Sequence, residues 1–200
     1  MKNALPEQIR AYASQKPEGS PLSAKELLHL GSRAAVDQAL SRLARGGELL
    51  RVGRGLYVRP IESRFGSYAP PAEEVIKQLA RIRGETVVSH GAAAANALGL
   101  TTQVPMKVVY LTSGPSRHLK LGAQLVELKH APRWQLAKAG QPAGEAVRAL
   151  AWLGPSRAQE ALMALKSTLP PPVLLEIAES RPALPEWLAK TVSTALFANG

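Results

Sequence analysis

The segment Ser32 to Gly47 constrains the fold more than any other part of the chain. Ser32 is a good N-cap, Val36, Ala39, Leu40 and Leu43 recur at the i, i+3, i+4, i+7 spacing of one helical face, and Gly46-Gly47 ends the run. A helix with that stripe has to bury it. Its opposite face then carries Arg33, Asp37, Gln38, Ser41, Arg42 and Arg45, whose guanidinium, amide and hydroxyl groups are the kinds that read base edges and hold phosphates. Taken alone, such a face is equally a solvated helix surface.

What surrounds the helix narrows the choice. Leu5 to Lys16 is a first helix, with Leu5, Ile9, Tyr12 and Ala13 in helical register, Pro6 in the first turn and Pro17-Glu18-Gly19 as the stop. Ser23 with Glu26 has the pattern of a capping box ahead of Leu27, Leu28 and Leu30, which predicts a short second helix ending at Gly31. After the third helix come Glu48 to Val52, the turn Gly53-Arg54-Gly55, and Leu56 to Pro60. This is a hairpin with Leu50, Val52, Leu56 and Val58 expected on one face, Arg51, Tyr57 and Arg59 on the other, and Arg54 at the tip. Three helices and a basic-tipped hairpin within about 60 residues follow the order of a winged helix-turn-helix. The predicted DNA-facing set is Ser32, Arg33, Gln38, Ser41, Arg42 and Arg45 on the helix with Arg51, Arg54, Tyr57 and Arg59 on the wing. A winged helix used for protein contact alone is the other use of the same fold.

The rest of the chain predicts a second region. Residues 62–71, with Gly, Ser and paired Pro, read as a linker, and Ala72 to Arg83 as a helix with Val75, Ile76, Leu79 and Ile82 on its stripe. Thr86 to Val88, Lys107 to Thr112 and Leu125 to Lys129 are β-prone, Gly91 to Leu98 is helical, and from Glu145 onward the periodicity is helical again. The expected class is therefore α+β, mainly α with small β components. A winged helix-turn-helix over residues 1–61 leads, through the linker, into an α+β domain over 72–200 that ends in a helical tail.

Charge and composition bear on function. The net charge of +10 is uneven: +5 over residues 1–66, +5 over 67–138 and zero over 139–200. A cationic leading two-thirds favours a polyanionic partner, because Lys and Arg displace condensed counterions from phosphates. The absence of cysteine excludes disulfides, thiolate nucleophiles and Cys-based zinc sites. His29, His90, His118 and His130 are scattered without metal-ligand spacing, and Asp37 is the sole aspartate, so no metal site, cofactor or catalytic residue is expected. An enzyme carrying a DNA-targeting domain would have to rest on Glu73, Glu74 and Glu85 before Glu127. Met1 to Arg10 lacks the apolar core of a signal peptide, and no run approaches the roughly 18 apolar residues of a membrane span. A cytoplasmic protein with no membrane partner is expected.

The run Leu30 to Leu43, the wing Arg51 to Tyr57, and the later blocks Leu98 to Val104 and Val108 to Thr112 resemble AbiEi-type antitoxins, which accompany nucleotidyltransferase toxins in type IV toxin-antitoxin and phage-abortive systems. The similarity runs over roughly Leu5 to Lys129. It implies a division of labour: a winged helix that represses its own operon by binding promoter inverted repeats in double-stranded DNA, and a C-terminal domain that counters a nucleotidyltransferase toxin. It also implies that Arg33, Gln38, Ser41 and Arg42 face the major groove, and Arg51, Arg54 and Arg59 the backbone or minor groove. Inverted repeats call for two copies on the DNA, whether the protein is a monomer or a weak dimer in solution. The alternative is a stand-alone winged-helix regulator whose C-terminal domain senses a ligand or dimerises.

Overall fold

The helix expected from Ser32 onward forms as Arg33–Arg45 (α2), with the Ser32 hydroxyl accepting from the Ala35 N–H at 3.4 Å, and Val36, Ala39, Leu40 and Leu43 buried. It belongs to a computed structural model that describes residues 4–17 and 19–197, so Glu18 of the expected helix stop lies outside the described residues. In chain order the elements are α1 (Leu5–Ser14), β1 (Leu22–Ser23), α2, β2 (Leu50–Gly53), β3 (Leu56–Val58), β4 (Ile61–Ser63), β5 (Gly66–Tyr68), α3 (Ala72–Arg83), β6 (Val87–Ser89), α4 (Gly91–Ala97) and β7 (Val108–Thr112). There follow β8 (Arg117–Leu121), β9 (Gln124–His130), α5 (Arg133–Leu136), α6 (Pro142–Leu153), α7 (Pro155–Thr168), α8 (Pro171–Glu179), a 3-10 turn at Arg181–Ala183 and α9 (Glu186–Phe197). Half of the structure is helix and about 18% strand, a mixed α+β class. No helix among the described residues is long and apolar enough to cross a membrane.

The chain divides into two units. The first comprises residues 1–85 and 117–127, the second residues 86–116 and 128–200. In the first, α1 and α2 pack through Ile9, Ala13, Val36, Ala39, Leu40 and Leu43, closed by Leu22, Leu27 and Leu49. Beside them lies an antiparallel sheet in the order β1-β3-β2, with Leu50 opposite Val58, Arg51 opposite Tyr57, and a bulge between Arg51 and Gly53. Gly55, at φ +64°, takes the left-handed turn position that closes the β2-β3 hairpin and that a side chain would disfavour.

Four expectations change here. The short second helix is instead a run of turns over residues 24–31, closed by i to i−3 bonds such as Leu27 N to Ala24 O and Leu30 N to Leu27 O. Within this run the His29 Nδ1 lies 2.9 Å from Glu26 O. Tyr57 does not face outward. It is 5% exposed and packs among the α1 and α2 core residues, because β3 is the central strand and is covered on both faces. Leu119 of β8 covers the other face of the hairpin, within 3.4 Å of where a Cβ on Gly53 would stand, and Val52, Leu56 and Val58 are buried too.

Third, the expected linker over 62–71 is mostly a hairpin of its own. β4 and β5 pair antiparallel, and the Ser63 hydroxyl accepts from Phe65 N at 3.1 Å and donates to Gly66 O at 2.9 Å. Fourth, α3 belongs to the first unit rather than to a domain beginning at residue 72. It buries Val75, Ile76 and Leu79 while Ile82 stays half exposed, and Gly84 caps it in the left-handed region. β8 and the leading part of β9, hydrogen-bonded neighbours, also join this unit from far along the chain.

The second unit places β7 between β6 and β9, with Val87 opposite Thr112 and Ser89 opposite Tyr110. Its main core is helical: Ala143, Ala146, Val147 and Leu150 of α6 meet Ala158, Leu162 and Leu165 of α7, Ile177 of α8, and Leu188 and Val192 of α9. Alanines let α4 and α6 approach closely, through Ala94, Ala95 and Ala149.

Candidate nucleic-acid interface

The buried stripe of α2 determines what its far side offers. With Val36, Ala39, Leu40 and Leu43 turned inward, Ser32, Arg33, Gln38, Arg42 and Arg45 are exposed and Ser41 is half-buried. Arg33 Nε donates to Asp37 one turn on at 2.9 Å; both side chains are about half exposed, a surface pair worth only about 0.3–0.5 kcal/mol. That pair is easily exchanged for a phosphate. Arg45 Nε reaches back to Ser41 O at 3.4 Å, and Arg42 and Arg45 stand in the last turn, where the helix dipole favours cations.

A second cationic patch forms at the hairpin. Arg51 on β2 and Arg54 at the tip are exposed, and β8 lies against β2, so that His118 and Lys120 join them around a shallow depression of about 480 Å³. Its lining contains no carboxylate. His118 and Lys120 are absent from the expected set. The alternation Arg117-His118-Leu119-Lys120-Leu121 marks a half-buried strand, with Leu119 and Leu121 buried and His118 and Lys120 outside, but nothing in that alternation names β2 as its neighbour.

Arg59 goes elsewhere. It lines a cleft of about 540 Å³ with Arg10, Glu48 and Glu62, so its charge stands among carboxylates rather than with Arg54. In that cleft Arg10 and Glu48 form a two-point pair, Nη2 donating to Oε1 at 2.9 Å alongside an Nε to Oε2 bond. The hydrogen bond from Arg10 holds the Glu48 carboxyl below its ordinary range, and the same bond raises the Arg10 guanidinium. Because the Glu48 pKa is lowered on folding, the pair is intact above the ordinary carboxylate range and is lost as pH falls through the lowered value. Tyr57, in the core, joins neither patch.

The acidic residues considered for enzymatic chemistry are engaged in ion pairs. Glu73 and Glu74 flank Lys77 at 2.8 and 3.9 Å, and Glu85 receives both terminal nitrogens of Arg117, one at 3.1 Å. Among the described residues no group of three or more His, Cys, Asp or Glu stands close enough to hold a metal.

A family model described as "Family of unknown function (DUF6088)" matches residues 8–168, a span that includes α2, the β2-β3 hairpin and β8. The chain belongs to that family. Both units carry the family match, whereas α8 and α9 lie beyond it. Among solved structures, the chain is similar to the crystal structure of the RV2827C protein from Mycobacterium tuberculosis, with 17% identity and a TM-score of 0.49 over 98% of this chain and 77% of that one. No curated protein matches the chain.

Proposed function

We propose that the protein is a double-stranded-DNA-binding repressor that reads base edges with α2 and grips the backbone with the β2-β3 hairpin. The observation that carries this reading is the pairing of a helix whose exposed face is Arg33, Gln38, Arg42 and Arg45 with a carboxylate-free patch of Arg51, Arg54, His118 and Lys120 in the same unit. The sequence of elements α1, β1, turns, α2, β2, β3, with the sheet in the order β1-β3-β2, supports reading this unit as a winged helix-turn-helix in which the turns at residues 24–31 replace one helix. Arg42 and Gln38 are assigned to bases, and Arg54 and Lys120 to phosphates.

The resemblance of Leu30 to Leu43, Arg51 to Tyr57 and Leu98 to Val104 to AbiEi-type antitoxins extends the proposal. The DNA is the promoter of the protein's own operon, the repressor acts in the cytoplasm, and the second unit counters a nucleotidyltransferase toxin encoded beside it. A stand-alone regulator that senses a ligand is the other reading, favoured by the cleft around Arg148 in the second unit.

Binding of the full chain to a duplex from its own upstream region tests the DNA half. Arg42→Ala is expected to weaken it by roughly tenfold and Arg54→Ala by several-fold. Unchanged affinity in both removes this surface from the account. Each lost phosphate contact is expected to lower the slope of log affinity against log salt by about one. Growth rescue on co-expression with the adjacent gene tests the antitoxin half, and no rescue from a demonstrably toxic neighbour leaves the stand-alone regulator.

A further inference from the structure

Arg148 of α6 is the charge that the second unit accommodates least comfortably. It is 2% exposed, and among the described residues its guanidinium has one hydrogen bond, from Nη1 to Gln135 O at 3.3 Å, while its buried Nε has no acceptor. No carboxylate among the described residues pairs with it. Burial pushes its pKa below the ordinary arginine value, and the charge of Glu145, one turn earlier on the helix, opposes that only in part. A buried guanidinium with so little compensation is costly to the free protein, and such a charge is ordinarily met by a paired anion.

The surroundings indicate where that anion sits. Arg148 lines a cleft of about 420 Å³ together with His90, Lys129, His130, Gln135 and Trp152, all within the second unit. The cleft lies within the size range of small-molecule sites, roughly 300–1,000 Å³. Its lining carries no Asp or Glu. His90 Nδ1 accepts from Ala92 N at 3.2 Å, so the neutral ring carries its proton on Nε2. His130 Nδ1 faces Gly114 O at 2.9 Å, which requires a proton on that nitrogen. Both rings are therefore oriented by the backbone, and the aromatic side chain of Trp152 also lines the cleft.

We infer that this cleft binds a small phosphomonoester with a flat ring, of the nucleoside monophosphate class. The phosphate is matched to Arg148 and Lys129, and the ring lies against Trp152. The two basic side chains suit a phosphomonoester, which carries roughly −1.5 to −2 charge near neutral pH, better than a single carboxylate. The burial of Arg148 suits a small molecule better than a DNA duplex, whose phosphates stay at the protein surface. The site is independent of α2 and the hairpin and does not rest on the DNA-binding proposal.

Calorimetric titration of the full chain at constant ionic strength, with inorganic phosphate, adenosine 5′-monophosphate and adenosine as probes, tests the inference. The monophosphate is expected to bind more tightly than inorganic phosphate, and adenosine not to bind. Lys129→Ala, at an exposed position, and Arg148→Met are each expected to weaken the monophosphate by roughly tenfold or more. Upstream duplex DNA is expected not to displace it. Absence of binding by both phosphate probes overturns the inference, as does affinity unaffected by both substitutions. Adenosine binding as well as its monophosphate removes the phosphate from the recognition, and inorganic phosphate binding as well as the monophosphate removes the ring. Displacement by the duplex reassigns the cleft to nucleic acid. Loss of DNA binding in Arg54→Ala with monophosphate binding intact separates this site from the DNA surface.

Discussion

Glu85 and Arg117 show how much one pair carries. Their side chains are 11% and 16% exposed, and the guanidinium meets the carboxylate with both terminal nitrogens, so replacing one partner leaves the other charged and nearly dry. Arg117→Met is expected to destabilise the first unit by about 3–5 kcal/mol in denaturant melts, far more than Asp37→Ala on the surface pair with Arg33. Gly91 makes a second demand, of a steric kind. A Cβ there would stand 2.4 Å from Arg148 O and 2.6 Å from Trp152 Cβ, with backbone on one side, so Gly91→Ala is expected to cost about 1–3 kcal/mol by forcing α4 and α6 apart. Such single positions were unevenly legible. The Ser32 cap and the stripe of α2 follow from local spacing, because a helix buries whatever recurs on one face. Tyr57 was misplaced for a physical reason: alternation distinguishes two faces of a strand, but it does not tell that β3 is central and covered on both.

Most elements built from local signals came through, the capping-box helix expected after Ser23 excepted, and those that depend on partners did not. The end of α3 at Gly84, the end of α4 near Gly99 and the strand of Val108 to Thr112 all lie where Gly and β-branched residues put them. The β4-β5 hairpin was hidden because Gly, Ser and Pro are common to linkers and tight turns, and the side-chain bonds of Ser63 decide between them. Its strands are three residues each and largely exposed, with Phe65 at the surface. Amides of β4 and β5 are therefore expected to exchange with deuterium orders of magnitude faster than those of α2, whose stripe is fully packed. Equal protection in the two would mean that the hairpin is held by something other than its own bonds.

At the scale of the whole molecule, the division of the chain was the least legible feature. The first unit recruits residues 117–127 from beyond the first strands of the second, and no composition shift marks that return. β8 contributes Leu119 against the hairpin and Lys120 beside Arg54, so it completes both the core and the basic patch. A fragment ending at Glu85 is expected to bind an apolar dye and aggregate, since the hairpin face that carries Val52 and Leu56 would lose its cover. A monomeric, dye-silent fragment would show that the first unit is complete without β8. The charge does not follow the two units: the cationic surplus lies in residues 1–138, which enter both, and the last 62 residues are neutral.

The central claim, that α2 reads sequence while the hairpin holds the backbone, is tested most directly by the ratio of affinities for the protein's own upstream duplex and a scrambled duplex of equal length, measured at fixed salt. The wild-type chain is expected to prefer its own duplex. Arg42→Ala is expected to shrink that preference by roughly tenfold, as removal of a base contact does. Arg54→Ala is expected to weaken both duplexes alike and leave the ratio unchanged. A wild-type ratio near one, or a ratio that Arg42→Ala leaves intact, would contradict the account.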